Sequence, residues 1–319
     1  MSKTQPLLSI CIPTYNRSQY LKKAVESIIC QPEFINTDEV EIIICDNCSE
    51  DDTKDVGLQL QALHPSKILY HRNEINIHGA NFEKALSLGN GVYLKLNNDT
   101  LINKKNSLKI ILELAIKTKN TTNLLFFANG NAATKNEIVE CRDFDEFVKE
   151  ASYWTTWIGA FCLSKKDFEN FENFNQNLHL FLSQTDVLFR LINSKKKKVF
   201  ISNTTIFESV EPKKKGGYDI LDVFLENYIG LLTKEMQNGN LSAATLKLEK
   251  RKLLFKFLLP LLRGIKIDGA DSNFSAKNPV TRIFKYYKNA PSDFIRFYGA
   301  YTKIRFISTY KRVHAPVIK

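Results

Sequence analysis

The chain has 319 residues, 44% of them hydrophobic and 25% charged, with a formal net charge of +11. Such a length and apolar content can bury a sizeable core and leave room for one large domain plus an appendage, which excludes general disorder. No run reaches the roughly 20 apolar residues of a membrane-spanning helix, and LLFKFLLPLL (253–262) is interrupted by Lys256 and Pro260.

The opening residues, MSKTQPLLSICIPTYN, carry a short apolar run that ends in a turn and not in a small-residue cleavage site. A cytoplasmic protein is expected. LLSICI (7–12) reads as a buried strand, and the segment from Ser18 to Cys30 places Leu21, Ala24, Val25 and Ile28 at helical spacing. VEIIIC (40–45) is a second strand, followed by the capping residues of SEDDT and a helix reaching about Leu63. KILYH (67–71) and VYLKL (92–96) are further strands around a short helix from Ala80 to Leu88. A helix from Ser107 to Thr118 and a strand NLLFFA (123–128) come next.

Beyond a polar stretch at 129–143 the pattern predicts a strand over WIGAFCLS (157–164), a helix from Gln184 to Ile192 and a strand KKVFIS (197–202). After the turn-rich EPKKKGGYD (211–219) it predicts helices over about 220–237 and 241–262. Strands alternating with helices predict an α/β fold with a mostly parallel sheet flanked by helices, and a helical C-terminal extension. A boundary is expected at 212, between a catalytic domain (1–212) and a helical, basic region (213–319).

In sheets of this kind ligands sit outside the carboxyl ends of the strands. Four polar clusters fall there: PTYNR (13–17), DNCSEDD (46–52), HRNEINIHG (71–79) and NNDT (97–100). The first loop has neither a G-x-G-x-x-G nor a G-x-x-x-x-G-K-[ST] cradle, which argues against a kinase, a P-loop NTPase and an ordinary dehydrogenase. Cys45 and Cys48 form a C-x-x-C without the second cysteine pair or close histidines that a zinc site needs.

The net charge is concentrated late. Residues 277–319 hold ten Lys or Arg against the single Asp293, interleaved with nine Phe or Tyr. That composition suits an anionic membrane surface or a polyanion. No nucleic-acid partner is expected.

The blocks LSICIPTYNRSQYLKKAVESI, VEIIICDNCSEDDT and YHRNEINIHGANFEKALSLGNGVYLKLNNDT resemble, in order and spacing, the family 2 inverting glycosyltransferases of the GT-A fold, the nucleotide-diphospho-sugar transferase fold. The resemblance spans roughly residues 7–210. It implies a nucleotide-sugar part over about 1–100 and an acceptor part over about 101–212, in an enzyme of surface polysaccharide synthesis.

From the resemblance, Pro13, Thr14, Tyr15 and Arg17 lie by the nucleotide, Asp46 by the base, and Arg72, Asn73 and Asn81 by the base and diphosphate. Asn97, Asn98 and Asp99 stand where the family carries an Asp-x-Asp metal motif, so Asp99 is the expected ligand of Mg²⁺ or Mn²⁺ and Asn97 keeps the shape without the charge. Asp186, in the first turn of a helix, is the expected catalytic base, and Thr185 stands where a second acid often precedes it. Trp154 and Trp157 are candidates for an acceptor platform. The expected partners are a nucleotide-sugar donor, a glycan or lipid-linked oligosaccharide acceptor, and the inner face of the plasma membrane. A sugar-nucleotide pyrophosphorylase would show a Gly-rich basic opening loop, unlike PTYNR. The alternative from another class is a non-catalytic glycan- or polyanion-binding protein of the same fold.

Overall fold

Leu8–Thr14 forms strand β1, in which every residue except Pro13 is buried. Burial on both faces is why the run is apolar throughout and does not alternate. Val40–Asp46 (β2), Ile68–Arg72 (β3) and Tyr93–Leu96 (β4) follow, separated by helices Ser18–Ile29 (α1), Pro32–Asn36 (α2), Thr53–Leu63 (α3) and Asn81–Ser87 (α4). Leu21, Ala24, Val25 and Ile28 are the buried apolar face of α1, as their spacing requires.

The computed structural model describes residues 5–121, 123–210, 215–268 and 272–313, and the chain divides into two compact units, 1–211 and 212–319. The boundary expected at 212 and the end of the basic segment, 314–319, lie outside the described residues. The first unit continues through Leu101–Asn103 (β5), Ser107–Thr118 (α5), Leu124–Phe127 (β6), Ile138–Cys141 (β7), Phe144–Ala151 (α6), Phe161–Ser164 (β8), Lys165–Glu169 (α7), Ser183–Lys195 (α8), Val199–Ser202 (β9) and Phe207–Ser209 (β10).

Eight of these strands make one sheet in the order β3-β2-β1-β4-β8-β6-β9-β7. The pairs β3–β2, β2–β1, β1–β4 and β6–β9 are parallel, whereas β8 runs antiparallel between β4 and β6, and β7 antiparallel to β9. The α/β, mostly parallel architecture is therefore present. The polar stretch at 129–143, which the sequence reading leaves without an element, contributes β7.

The strand expected over 157–164 begins only at Phe161, and Ile158–Ala160 is a 3₁₀ turn. The cause is packing. A Cβ on Gly159 would lie 2.5 Å from Leu101 and 3.0 Å from the Trp157 ring, and the Gly159 carbonyl accepts from the buried Lys95 Nζ at 2.9 Å. With that backbone pressed inward and its oxygen committed to a side chain, the ladder starts later. Burial pulls the Lys95 ammonium down to about 8, while its Nζ lies 4.5 Å over the Phe207 ring.

The second unit is mainly helical. Leu221–Tyr228 winds wide and runs into Ile229–Gln237 (α9), and Ala243–Lys252 (α10), Leu259–Arg263 (α11), Pro279–Tyr287 (α12) and Pro291–Val313 (α13) follow. Lys215–Asp219 (β11) pairs in parallel with Ser272–Ser275 (β12). Arg282 holds this unit together from α12, pairing with Asp219 at 3.1 Å and Glu226 at 3.0 Å, and with Asp222.

Candidate functional site

The parallel register sets Thr14 abreast of Asp46 and Asp46 abreast of Arg72, so three of the polar clusters leave the sheet at one edge. The fourth arrives through β4, where the Asn97 amide donates to the Cys11 carbonyl of β1 at 2.8 Å. The loops are stitched together there. Asp51 Oδ2 accepts from the Ser18 amide at 3.0 Å and caps α1 from the neighbouring loop, and Asn16 exchanges hydrogen bonds with Ser49 and Glu50.

A cleft of about 540 Å³ opens on this edge. Pro13, Thr14, Tyr15, Arg17, Asn81 and Asp99, all named from the sequence, line it together with Asn47, Asn76, His78 and Phe82. The last four were missed individually, although three of them fall within the DNCSEDD and HRNEINIHG clusters. Tyr15 is 41% exposed, free to offer its ring to a planar or sugar ligand.

Asp46 lies beneath the cleft and is fully buried. Its Oδ2 accepts from Tyr70 Oη at 2.7 Å and Arg72 Nη1 at 2.8 Å, and its Oδ1 from the Ser49 amide at 2.9 Å. Burial, reinforced by the Asp46 carboxylate, pushes the Tyr70 hydroxyl well above its usual range. Tyr70 is itself wedged against α3, where a Cβ on Gly57 would fall 2.2 Å from its ring. Gly57→Ala should gain about 1 kcal/mol of helix propensity, but overpacking costs about 1–3 kcal/mol or more where a ring is pinned. The expected result is a lower Tm together with release of the Tyr70–Asp46 bond. An unchanged or higher Tm in thermal melts would count against this packing.

Asn73 and Asn81 are buried in an amide network. Asn81 Nδ2 donates to the Cys45 carbonyl at 3.0 Å, and its Oδ1 accepts from Asn73 Nδ2 at 2.8 Å and Cys45 Sγ at 3.1 Å. Asn73 also reaches Asn47, whose own amide donates to Asn76 at 2.7 Å. The network shapes the cleft floor from groups that are largely spent on one another.

Asp99 is the charged residue of the Asn97–Asn98–Asp99 run and is 2% exposed. Its Oδ2 accepts from Thr14 Oγ1 at 2.9 Å and its Oδ1 from Arg17 Nη1 at 2.9 Å. Burial pushes the Asp99 carboxyl above the usual carboxylate range, against the pull of Arg17 and Thr14. Asn97 turns its amide nitrogen to the Asn98 carbonyl at 3.0 Å, and Asn98 Oδ1 is buried with no donor among the described residues. One carboxylate and nearby amide oxygens are hard donors that fit Mg²⁺ or Mn²⁺, since such ions are held by one or two carboxylates together with phosphates and water. Among the described residues no group of three or more His, Cys, Asp or Glu could hold a metal ion, so these few donors would need a ligand's own oxygens.

Asp186 does not line the cleft. It is 3% exposed in the first turn of α8, with Oδ1 accepting from Asn177 and Oδ2 from Arg190 Nε, both at 2.9 Å. The start of α8 is nevertheless beside the cleft's loop, because a Cβ on Gly79 would lie 3.3 Å from Leu178 and 4.0 Å from Ser183. Thr185, the residue before Asp186, donates to the Thr155 carbonyl at 3.0 Å. Trp154 and Trp157 meet edge to face at 6.2 Å outside the cleft lining, and Trp157 also packs on Phe207.

The model of glycosyl transferase family 2 matches residues 9–154, which take in β1 from its second residue, β2 to β4 and all four polar clusters. Residues 9–154 are therefore similar to glycosyl transferase family 2. The chain is 42% identical over 88 residues to abequosyltransferase RfbV of Salmonella typhimurium, covering 27% of this chain and 26% of that protein. It is 32% identical over 128 residues to the putative colanic acid biosynthesis glycosyl transferase WcaA of Escherichia coli, covering 40% of this chain and 43% of that protein. The chain thus matches between about a quarter and a half of the length of these relatives.

Among solved structures, TarS 1–349 of S. aureus in complex with UDP-GlcNAc superposes with a TM-score of 0.56 at 13% identity, over 96% of this chain and 91% of that one. The mannosyltransferase PcManGT of Pyrobaculum calidifontis, in complex with GDP-Man and Mn²⁺, gives 0.54 at 12% identity, over 98% and 88%. At such identities the likeness establishes the fold, which is GT-A.

Proposed function

We propose that this chain is an inverting glycosyltransferase that moves a sugar from a nucleotide-sugar donor to a glycan or lipid-linked acceptor in surface polysaccharide assembly. The observation that carries the reading is the register-locked edge of a family 2 domain on which Thr14, Asp46 and Arg72 stand abreast, with Asp99 bonded to Thr14. The names of the relatives, an abequosyltransferase and a colanic acid biosynthesis transferase, support the surface polysaccharide setting.

In this reading Tyr15 packs on the nucleoside, and Arg72, partly exposed and held by the buried Asp46, meets the base edge. Asp99 holds the divalent ion, with the amide oxygens of Asn97 and Asn98 close by. When bound, Mg²⁺ or Mn²⁺ neutralises the charge that builds on the nucleoside diphosphate leaving group. Asp186 accepts the acceptor hydroxyl's proton while that oxygen bonds to the anomeric carbon and the phosphate oxygen departs from the opposite face. Asn177 and Arg190 orient its carboxylate and leave lone pairs free, because a carboxylate offers about four acceptor sites. Trp154 and Trp157 provide an apolar surface for the acceptor.

The test is a panel of UDP-, GDP-, dTDP- and CMP-sugars with Mn²⁺, scored for binding and slow hydrolysis. One donor class is expected to respond. Silence across the panel from well-folded protein would favour the non-catalytic glycan- or polyanion-binding alternative.

The second unit supports attachment to the inner face of the plasma membrane. Ile295, Tyr298, Phe306 and Tyr310 on α13 are 68%, 50%, 75% and 58% exposed, and Arg296, Lys303 and Arg305 are interleaved with them. Among the described residues no helix is long and apolar enough to cross a membrane, so the attachment proposed is peripheral. Sedimentation with phosphatidylglycerol-containing vesicles should pellet the protein at low salt. Salt and the pair Ile295→Ser with Phe306→Ser should each weaken pelleting, and equal pelleting with neutral vesicles would refute the electrostatic part.

A further inference from the structure

Asp99 already has a cation. Arg17 Nη1 sits 2.9 Å from Asp99 Oδ1, and the Thr14 hydroxyl donates to Oδ2 at 2.9 Å, so each oxygen of the carboxylate in the Asn97–Asn98–Asp99 run already accepts from the protein itself, one of them from a full positive charge. The side chain of Asp99 is 3% exposed, whereas that of Arg17 is 35% exposed and lines the cleft. With Asn97 in place of a second carboxylate, the Arg17–Asp99 pair is neutral as a unit. A divalent ion approaching Asp99 would therefore find no net attraction and would face the guanidinium at close range, in surroundings that screen charge poorly.

We infer that Arg17 is a positioning residue that withholds Asp99 from divalent cations until a nucleoside diphosphate arrives and draws the guanidinium onto its phosphates. The inference rests on the donor-site reading above and adds an order of events to it. Arg17 can make the exchange because its exposed side faces the cleft, and because a guanidinium binds a carboxylate and a phosphate with the same planar pattern of N–H donors. Asp99 is then released to the cation in the same step that supplies the diphosphate's compensating charge. Cation and donor binding become reciprocal, each strengthening the other. Free cation in the absence of donor stays out of the site.

The measurement is Mn²⁺ binding to the full chain, followed by the loss of the free Mn²⁺ electron paramagnetic resonance signal, without nucleotide. Arg17→Gln should bind Mn²⁺ at least about tenfold more tightly than the wild-type protein, and the added Asp99→Asn change should abolish the gain. Arg17→Lys retains the charge beside Asp99 and should stay close to wild type, which separates an electrostatic block from a general loosening of the loop. Equal Mn²⁺ affinity in wild type and Arg17→Gln overturns the inference, as does a gain that survives Asp99→Asn. A parallel titration with UDP and GDP in the presence of Mn²⁺ examines the donor reading itself. If neither nucleotide binds while Arg17→Gln still gains Mn²⁺ affinity, the donor reading fails and the guarding role of Arg17 stands.

Discussion

Asp99→Asn is expected to lower sugar transfer about 10³-fold while leaving the protein folded. The substitution keeps an oxygen for the Thr14 hydroxyl and removes the negative charge from the run Asn97–Asn98–Asp99. An ion that supplies several kcal/mol of stabilisation to a departing diphosphate cannot be held well by three amides, and about 4 kcal/mol corresponds to the stated factor. Breaking a fully buried ion pair costs about 3–5 kcal/mol because it strands a charge. Here the stranded partner would be Arg17, whose side chain keeps 35% of its surface in solvent, so the stability cost should be clearly smaller. Steady-state transfer with the donor found in the panel, alongside a thermal melt, checks both halves. Retention of full activity would remove Asp99 from the site.

The half of the fold that builds the cleft was legible because β1, β2 and β4 are buried almost throughout. SICI and EIII can be read as strands without knowing their neighbours, and the polar residues after them then fall at the carboxyl edge wherever the strands pair. Other parts were hidden for identifiable reasons. Nothing in FCLS at 161–164 signals that β8 runs antiparallel between β4 and β6, since direction is set by the connection and not by composition. The 3₁₀ turn before it depends on Lys95 reaching the Gly159 carbonyl across 64 positions. In the site, the role expected of Asp99 comes from the resemblance of its block to the family, whereas its partnership with Arg17 spans 82 positions and leaves no local trace. The amides Asn73 and Asn81 illustrate the converse. The resemblance places them by the base and diphosphate, and in the structure their side chains are bonded to Cys45, Asn47 and one another, with Asn81 also lining the cleft.

Asp186→Asn should separate chemistry from binding. Its carboxylate is held by Asn177 and Arg190 at 2.9 Å each, and the start of its helix packs beside the Gly79 loop of the cleft. If Asp186 is the base, the asparagine variant should lose about 10²–10⁴-fold in kcat, the range for removing a positioned proton acceptor. Donor affinity should stay within about twofold, because Thr14, Tyr15, Arg17 and Asp99 line the cleft and Asp186 does not. The rival account is that Asp186 is only the helix's N-terminal acid and a clamp for Arg190, which also reaches the Asn173 carbonyl at 3.0 Å. That account predicts a lower Tm and raised KM as the 172–182 segment loosens, with kcat little changed. Nearly all of the loss in kcat, with donor binding and Tm preserved, would select the base; the opposite split would select the clamp and send the search for a base elsewhere along the rim.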